Sequence, residues 1–390
     1  PPPLFFTTPP RPPPILSGLV GSEMCIRDRS SDGVYQNNIG TACVEFTALY
    51  HFKIIEKGEL MSKKLETLSA FLFMIAGVTF LAYTINDVFF TEDDGVKMIT
   101  IDGGHQVWTQ KVGDNPSVKI LLLHGGPGAT HEYFKIFDDY FPNEGIEYYY
   151  YDQLGSTNSD PANDPSLWTI ERFVEEVETV RKALDLDKSN FYVLGHSWGG
   201  ILGMEYALKY QDNMKGLIVS NMMASIPAYN KYADEVLGPQ MPPEVLAEIQ
   251  AFEAAKDFTN PRYMELLLPH HYQTHMLRIP LEEWPDEVNN AFANINQDMY
   301  VAMQGPSEFG ASGLLEFWDI TDKLSTITIP TLVIAGTHDT MDPEHKEWMA
   351  NEFPNGEYLL CPDGSHMAMW DDTDTYINGV FNFIEKVEGN

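Results

Sequence analysis

Cysteine is nearly absent from this chain. Of three, Cys25 and Cys43 fall among the first sixty residues and leave Cys361 alone, so no disulfide framework holds the fold. Positive charge is scarce as well: 24 Lys and Arg stand against 57 Asp and Glu, a formal charge of -33. A surface that negative repels phosphate backbones, which argues against nucleic acid as a partner and favours cations or ammonium-bearing ligands. Solubility, or life in a saline medium, accounts for the excess ahead of substrate steering. A periodic apolar pattern is missing from the first sixty residues, and Pro1 to Pro14 is dominated by proline, so residues 1–60 read as an unfolded leader. Within it Ser17 to Arg29 resembles translated adaptor sequence, which makes Met61 the expected start.

Charge is what the next stretch lacks. After Lys63 and Lys64 the run from Thr67 to Asn86 carries none, and its centre, Leu68 to Tyr83, is almost wholly apolar. The basic flank and apolar core fit an export signal, yet no small-x-small cleavage site follows, and about twenty uncharged residues can span a bilayer. Residues 61–87 are therefore expected to be a signal or, preferably, an uncleaved N-terminal membrane anchor. The lysines would stay inside, which makes the protein periplasmic or anchored to the inner membrane, with a cytoplasmic location as the alternative.

What is present begins after Asp93. Two short alternating runs, Val96 to Ile101 and His105 to Lys111, flank Asp102-Gly103-Gly104 and predict a hairpin. Buried-strand patterns follow at Lys119 to Leu123, Ile146 to Tyr151, Phe191 to Leu194 and Gly216 to Ser220, then at Thr331 to Ala335 and Glu357 to Cys361. Between them Phe173, Val177, Val180 and Leu184 mark one face of a helix. Strands alternating with helices predict an α/β fold with a mostly parallel, doubly wound sheet. Its two parts would be 93–227 and 318–390, with residues 228–317, rich in Met, Tyr, Phe, Pro and acids, forming an inserted helical cap without internal repeats.

The chemistry concentrates in three places. Gly195-His196-Ser197-Trp198-Gly199-Gly200 follows an apolar strand and precedes a helix, the setting of a G-x-S-x-G nucleophile elbow, where a strained turn lifts a serine hydroxyl above the sheet. A serine nucleophile needs a base, and His366, in the loop after the last strand, stands in the chain order Ser, acid, His that this arrangement uses. His124, His131, His196, His270, His271 and His275 read as structural or substrate-facing. Three acids compete. Asp339 follows a strand at the carboxyl edge of the sheet, where active-site groups gather. Asp342 precedes Pro343 and reads as a helix N-cap, while Asp363 is too close in sequence to His366. Asp339 would fix the imidazole tautomer without taking the proton. His124-Gly125-Gly126-Pro127-Gly128 supplies an oxyanion loop, with the backbone N–H groups of Gly126 and Trp198 as donors, each worth about 3 kcal/mol in the transition state.

These motifs together are specific. His124 to Gly128, Tyr151-Asp152-Gln153-Leu154-Gly155-Ser156, the elbow, Gln304-Gly305-Pro306-Ser307-Glu308-Phe309, Trp318-Asp319-Ile320, and Ser365-His366 with Met369-Trp370 fall in the order of the proline iminopeptidase family, which the chain resembles from Asp93 to its end. The resemblance implies an α/β-hydrolase fold and a serine aminopeptidase that releases an N-terminal residue, often proline, from short peptides without metal or other cofactor. It also implies that cap carboxylates hold the substrate ammonium. Glu308 is the position that matches, and Glu265, Glu282, Glu283 and Asp298 remain open as a second. Asp152 would be structural. Thr157 replaces a glycine frequent in relatives, and many relatives lack the apolar N-terminus. The competing readings are an esterase or amino-acid amidase with the same triad, and an anchored binding protein without chemistry.

Overall fold

The computed structural model describes residues 95–389. The leader, the anchor segment and the two early cysteines lie outside the described residues. The chain forms one eight-stranded sheet: β1 Val96–Thr100, β2 Gln106–Val112, β3 Lys119–Leu123, β4 Glu147–Asp152, β5 Phe191–His196, β6 Gly216–Ser220, β7 Thr331–Gly336 and β8 Gly356–Cys361, in the order β1-β2-β4-β3-β5-β6-β7-β8. The expected hairpin is there, β1 on β2, and β2 joins β4 antiparallel; every other pairing is parallel.

The strands that are buried on both faces read as unbroken apolar runs for that reason. In β3 and β5, Leu121, Leu123 and Val193 enter one core layer with the helix α1, Ile170–Ala183, whose Phe173, Val177 and Val180 face it. Alternate residues Ile120, Leu122, Tyr192 and Leu194 enter the other layer, which the C-terminal helix closes from Thr373 to Glu388 with Tyr376, Val380 and Phe383. The sheet is thus covered on both sides, as a doubly wound arrangement requires. Strand β5 runs two residues further than the apolar run alone indicates, because Gly195 and His196 still pair with Val219 and Ser220 of β6.

Between β6 and β7 there is no named strand. The chain passes through α3 Ile226–Tyr232, α4 Pro243–Ala255, α5 Pro261–Leu267, α6 Asp286–Ala293 and α7 Gln297–Met303, α2 (Trp198–Tyr210) having preceded β6. Entry and exit of this excursion are stitched together. Ser225 and Asp319 form a bridge, Ser225 Oγ donates to Asp319 Oδ2 at 2.8 Å, and Ile226 N donates to Trp318 O at 2.9 Å. The rest of the core is α8 Pro343–Glu352, the short α9 Ala368–Asp371, and α10 Thr373–Glu388. Asp342 caps α8 by accepting from Glu344 N at 2.9 Å, with Pro343 first in the helix, which is the role its sequence context indicates. Among the described residues no helix is long and apolar enough to cross a membrane.

Candidate active site

Ser197 sits between β5 and α2 at φ 55 and ψ -126, a conformation that a side chain rarely adopts. The neighbours explain why glycines flank it. A Cβ on Gly195 would lie 2.0 Å from Gly199 O, and one on Gly199 would lie 1.9 Å from Leu123 O. The strand and helix cross too tightly for any other residue, and the crossing holds the serine above the carboxyl ends of β3, β5 and β6.

His366 and Asp339 come from the loops after β8 and β7. Their side chains meet at 2.8 Å, Nδ1 of the imidazole against Oδ1 of the carboxylate. Asp339 is fully buried and amply bonded. Oδ1 also accepts from Met341 N at 3.1 Å and Thr340 Oγ1 at 3.3 Å, while Oδ2 accepts from Asn221 Nδ2 at 2.7 Å and from Lys346 Nζ. Burial alone would push this carboxyl up, but the Lys346 and His366 charges and hydrogen bonds prevail and hold it well below the usual carboxylate range. It is therefore an anion able to fix the Nδ1–H tautomer and leave Nε2 to act as base. Asp363, the rejected acid, is exposed and donates its N–H to Asp372.

Ser197, His366, Gly125, Gly126, His196 and Glu308 all line one cleft. No hydrogen bond joins Ser197 Oγ to His366; in such triads this bond is often long and tightens around the substrate. The oxyanion loop approaches the serine closely: a Cβ on Gly125 would lie 3.0 Å from Ser197 Cβ. Trp198 opens α2, so its N–H is among the first of the helix and has no intrahelical acceptor.

Two buried relays fix these parts, and sequence reasoning did not find them. Gly125 N donates to Tyr133 Oη at 2.7 Å, Tyr133 faces His196 Nδ1 at 3.1 Å, and His196 Nε2 donates to His366 O at 2.8 Å. Burial pushes His196 down to about 3, which keeps the imidazole neutral and able to serve as donor and acceptor at once. The second relay is Gln153. Its Nε2 donates to His124 O at 3.0 Å and its Oε1 accepts from Trp198 Nε1 at 2.8 Å, so one amide ties the oxyanion loop to the residue after the nucleophile. His124 accepts at Nε2 from Gln153 N at 3.1 Å. Asp152 lies outside the cleft; it accepts from His131 N and faces His131 Nδ1, both at 2.9 Å, the structural part expected of it.

On the cap side Glu308 is buried and held by four contacts. Tyr300 Oη donates to Oε1 at 2.5 Å; Tyr272 Oη accepts from the backbone N–H; Tyr229 Oη and His271 Nε2 donate to its carbonyl. No hydrogen bond reaches Oε2. Burial pushes the carboxyl above its ordinary value, partly offset by His366 and Tyr300. Glu308 is the one carboxylate among the residues lining the cleft; Glu265, Glu282, Glu283 and Asp298 are all exposed and do not line it. His275 and His271 are structural here: His275 Nδ1 donates to His338 O at 2.9 Å.

Comparison with known proteins bears on the fold and the family. Residues 119–373 match the family model of the alpha/beta hydrolase fold. A proline iminopeptidase of Flavobacterium johnsoniae is 60% identical over 285 residues, 73% of this chain and 95% of the relative. One from Elizabethkingia meningoseptica is 55% identical, with 75% and 98% covered. The crystal structure of a proline iminopeptidase of Mycobacterium smegmatis superposes with a TM-score of 0.66 at 30% identity, covering 75% of this chain and 98% of that one. The chain belongs to the proline iminopeptidase family of α/β hydrolases.

Proposed function

We propose that this protein is a serine aminopeptidase that releases an N-terminal residue, proline foremost, from short peptides through an acyl-enzyme. The observation that carries the reading is a buried carboxylate, Glu308, in the same cleft as Ser197 and His366. An ionised Oε2 there accepts a charge-assisted hydrogen bond from a free α-ammonium or prolyl iminium, and a blocked amino group has no such donor to offer. The apolar walls, among them Met276, Phe292 and Ile295, suit a pyrrolidine ring with no polar groups of its own. The relatives named proline iminopeptidase support the same substrate.

In this mechanism Ser197 Oγ attacks the carbonyl carbon of the first residue while His366 takes its proton. The oxyanion rests on the N–H groups of Gly126 and Trp198. His366 then hands the proton to the leaving amine as the C–N bond breaks, and the peptide lacking its first residue departs. Water attacks the ester, His366 takes and returns a proton, and the free amino acid leaves Ser197 restored.

The test uses aminoacyl-naphthylamides, prolyl and alanyl included, each with and without an N-acetyl group. Free prolyl substrate is expected to be cleaved and the acetylated one spared; equal cleavage of both would return the site to a plain amidase or esterase. Glu308→Gln should lower kcat/KM for the free substrate by about a hundredfold, the loss for one partner of a buried charge pair. The same variant should melt at a higher temperature. A carboxyl raised on folding loses stability as pH rises through its folded value, and glutamine removes that loss, so the gain in melting temperature should grow from pH 5 to pH 8.

We propose further that residues 67–86 export the chain or anchor it to the inner membrane, on the strength of the flanking lysines and the uncharged run. Fractionation of tagged full-length protein should find it in the membrane or periplasm, and a wholly cytoplasmic enzyme would refute this.

A further inference from the structure

Lys346 is completely buried, and its ammonium bonds to the catalytic carboxylate and to no other side chain. It comes from α8, seven residues beyond Asp339, with Met349 and Ala350 beside it on the inward face. Moving an ammonium out of water costs free energy that a methionine of similar length would not incur. The charge must therefore act through its one partner. That partner is two-sided: Oδ1 of Asp339 faces His366, while Oδ2 takes Asn221 and Lys346. Lys346 does not line the cleft and cannot reach substrate.

We infer that Lys346 is a positioning residue of the reaction, holding the far oxygen of Asp339 and setting how low in pH His366 can still serve as base. The inference rests on the proposed triad. An isolated carboxylate attracts the imidazolium strongly, whereas one already paired with an ammonium attracts it less, so proton release from His366 is made easier. The other groups around the pair leave this effect exposed. His196 on β5 and His271 from the cap are kept neutral by burial, burial lowers His275 beside them, and the Cys361 thiol on β8 is pushed up by burial. Glu308 faces His366 from the cap, and Asp342 and His345 lie toward Lys346 on its own helix. The acids favour imidazolium; the buried ammonium opposes them.

The experiment replaces the lysine by Lys346→Met and Lys346→Gln and follows two quantities from pH 5 to 9: kcat/KM for prolyl-naphthylamide, and the rate at which a fluorophosphonate labels Ser197. In both variants the acid limb is expected to move to higher pH by about one unit in both readouts, so that on the steep part of the limb labelling, expressed as a fraction of each protein's own plateau, falls about tenfold below wild type at the same pH. A limb that coincides with wild type in either folded variant overturns the inference, and so does failure of both variants to fold, which would assign the lysine to stability alone. Labelling needs no peptide. A wild-type protein that labels but releases no proline refutes the peptidase reading while the role of Lys346 stays testable; one that does not label refutes the triad and this inference together.

Discussion

Replacing Ser197 by alanine should lower kcat for prolyl release by about 10⁶-fold, the cost of removing a nucleophile from a working triad. The fold should not notice. Ser197 occupies φ 55 as a residue with a Cβ already, so alanine meets the same backbone demand, and its hydroxyl makes no hydrogen bond to protein that alanine would orphan. Substrate binding should persist as well, because Glu308 and the apolar walls are untouched; KM is expected to stay within about threefold if it reflects binding. His366→Ala should cost about as much, and the double variant scarcely more, since the two act as a unit. Single-turnover kinetics with thermal melts decide the matter. A loss of tenfold or less for Ser197→Ala would mean that another group attacks, and a large fall in melting temperature would mean that the serine is structural.

Legibility of the site in the sequence follows contact range. The elbow is local: Gly195, Ser197 and Gly199 sit in six consecutive residues, and the steric reason for the glycines is visible once a strand and a helix are assigned around them. Asp342 is local too, since Pro343 and a following helix define its cap. Choosing Asp339 and His366 needed only chain order and strand ends. Tyr133, Asn221 and Gln153 were not legible, because each acts across a gap of many residues: Asn221 meets Asp339 at a separation of 118, and Gln153 meets Trp198 at 45. Nothing in a single chain announces such pairs. Lys346 had a signal that could have been used. With Met349, Ala350 and Phe353 it repeats at helical spacing, so a charged residue stands on a face otherwise apolar, close after the chosen acid. The choice of a second acid in the cap stayed open for a different reason: a charge count cannot tell a solvated helix surface from a cleft wall, and Glu265, Glu282, Glu283 and Asp298 are all exposed.

Asp339→Asn tests the coupling between acid and lysine most severely. The rate should fall by about 10⁴-fold, as it does when the acid of such a triad becomes an amide. The cause can be read from the donors around the carboxylate. With its oxygen toward His366, the asparagine would turn its NH₂ against Asn221 Nδ2 and the Lys346 ammonium, donors facing a donor. With its oxygen toward Lys346, the NH₂ faces His366 Nδ1 and Met341 N instead. The charged partner makes the second orientation the better one. It forces the proton of His366 onto Nε2, the nitrogen that must accept from Ser197, and the base is disabled. The variant also leaves a buried ammonium without its counter-charge, at a cost of about 3–5 kcal/mol. Adding Lys346→Met should undo both consequences in part, because the ammonium that needed a partner and dictated the amide orientation is gone. The double variant is therefore expected to melt above Asp339→Asn and to turn over faster, though still far below wild type. A four-member cycle of melting temperatures and kcat values measures this coupling, and strictly additive effects in both would show that Lys346 and Asp339 act independently.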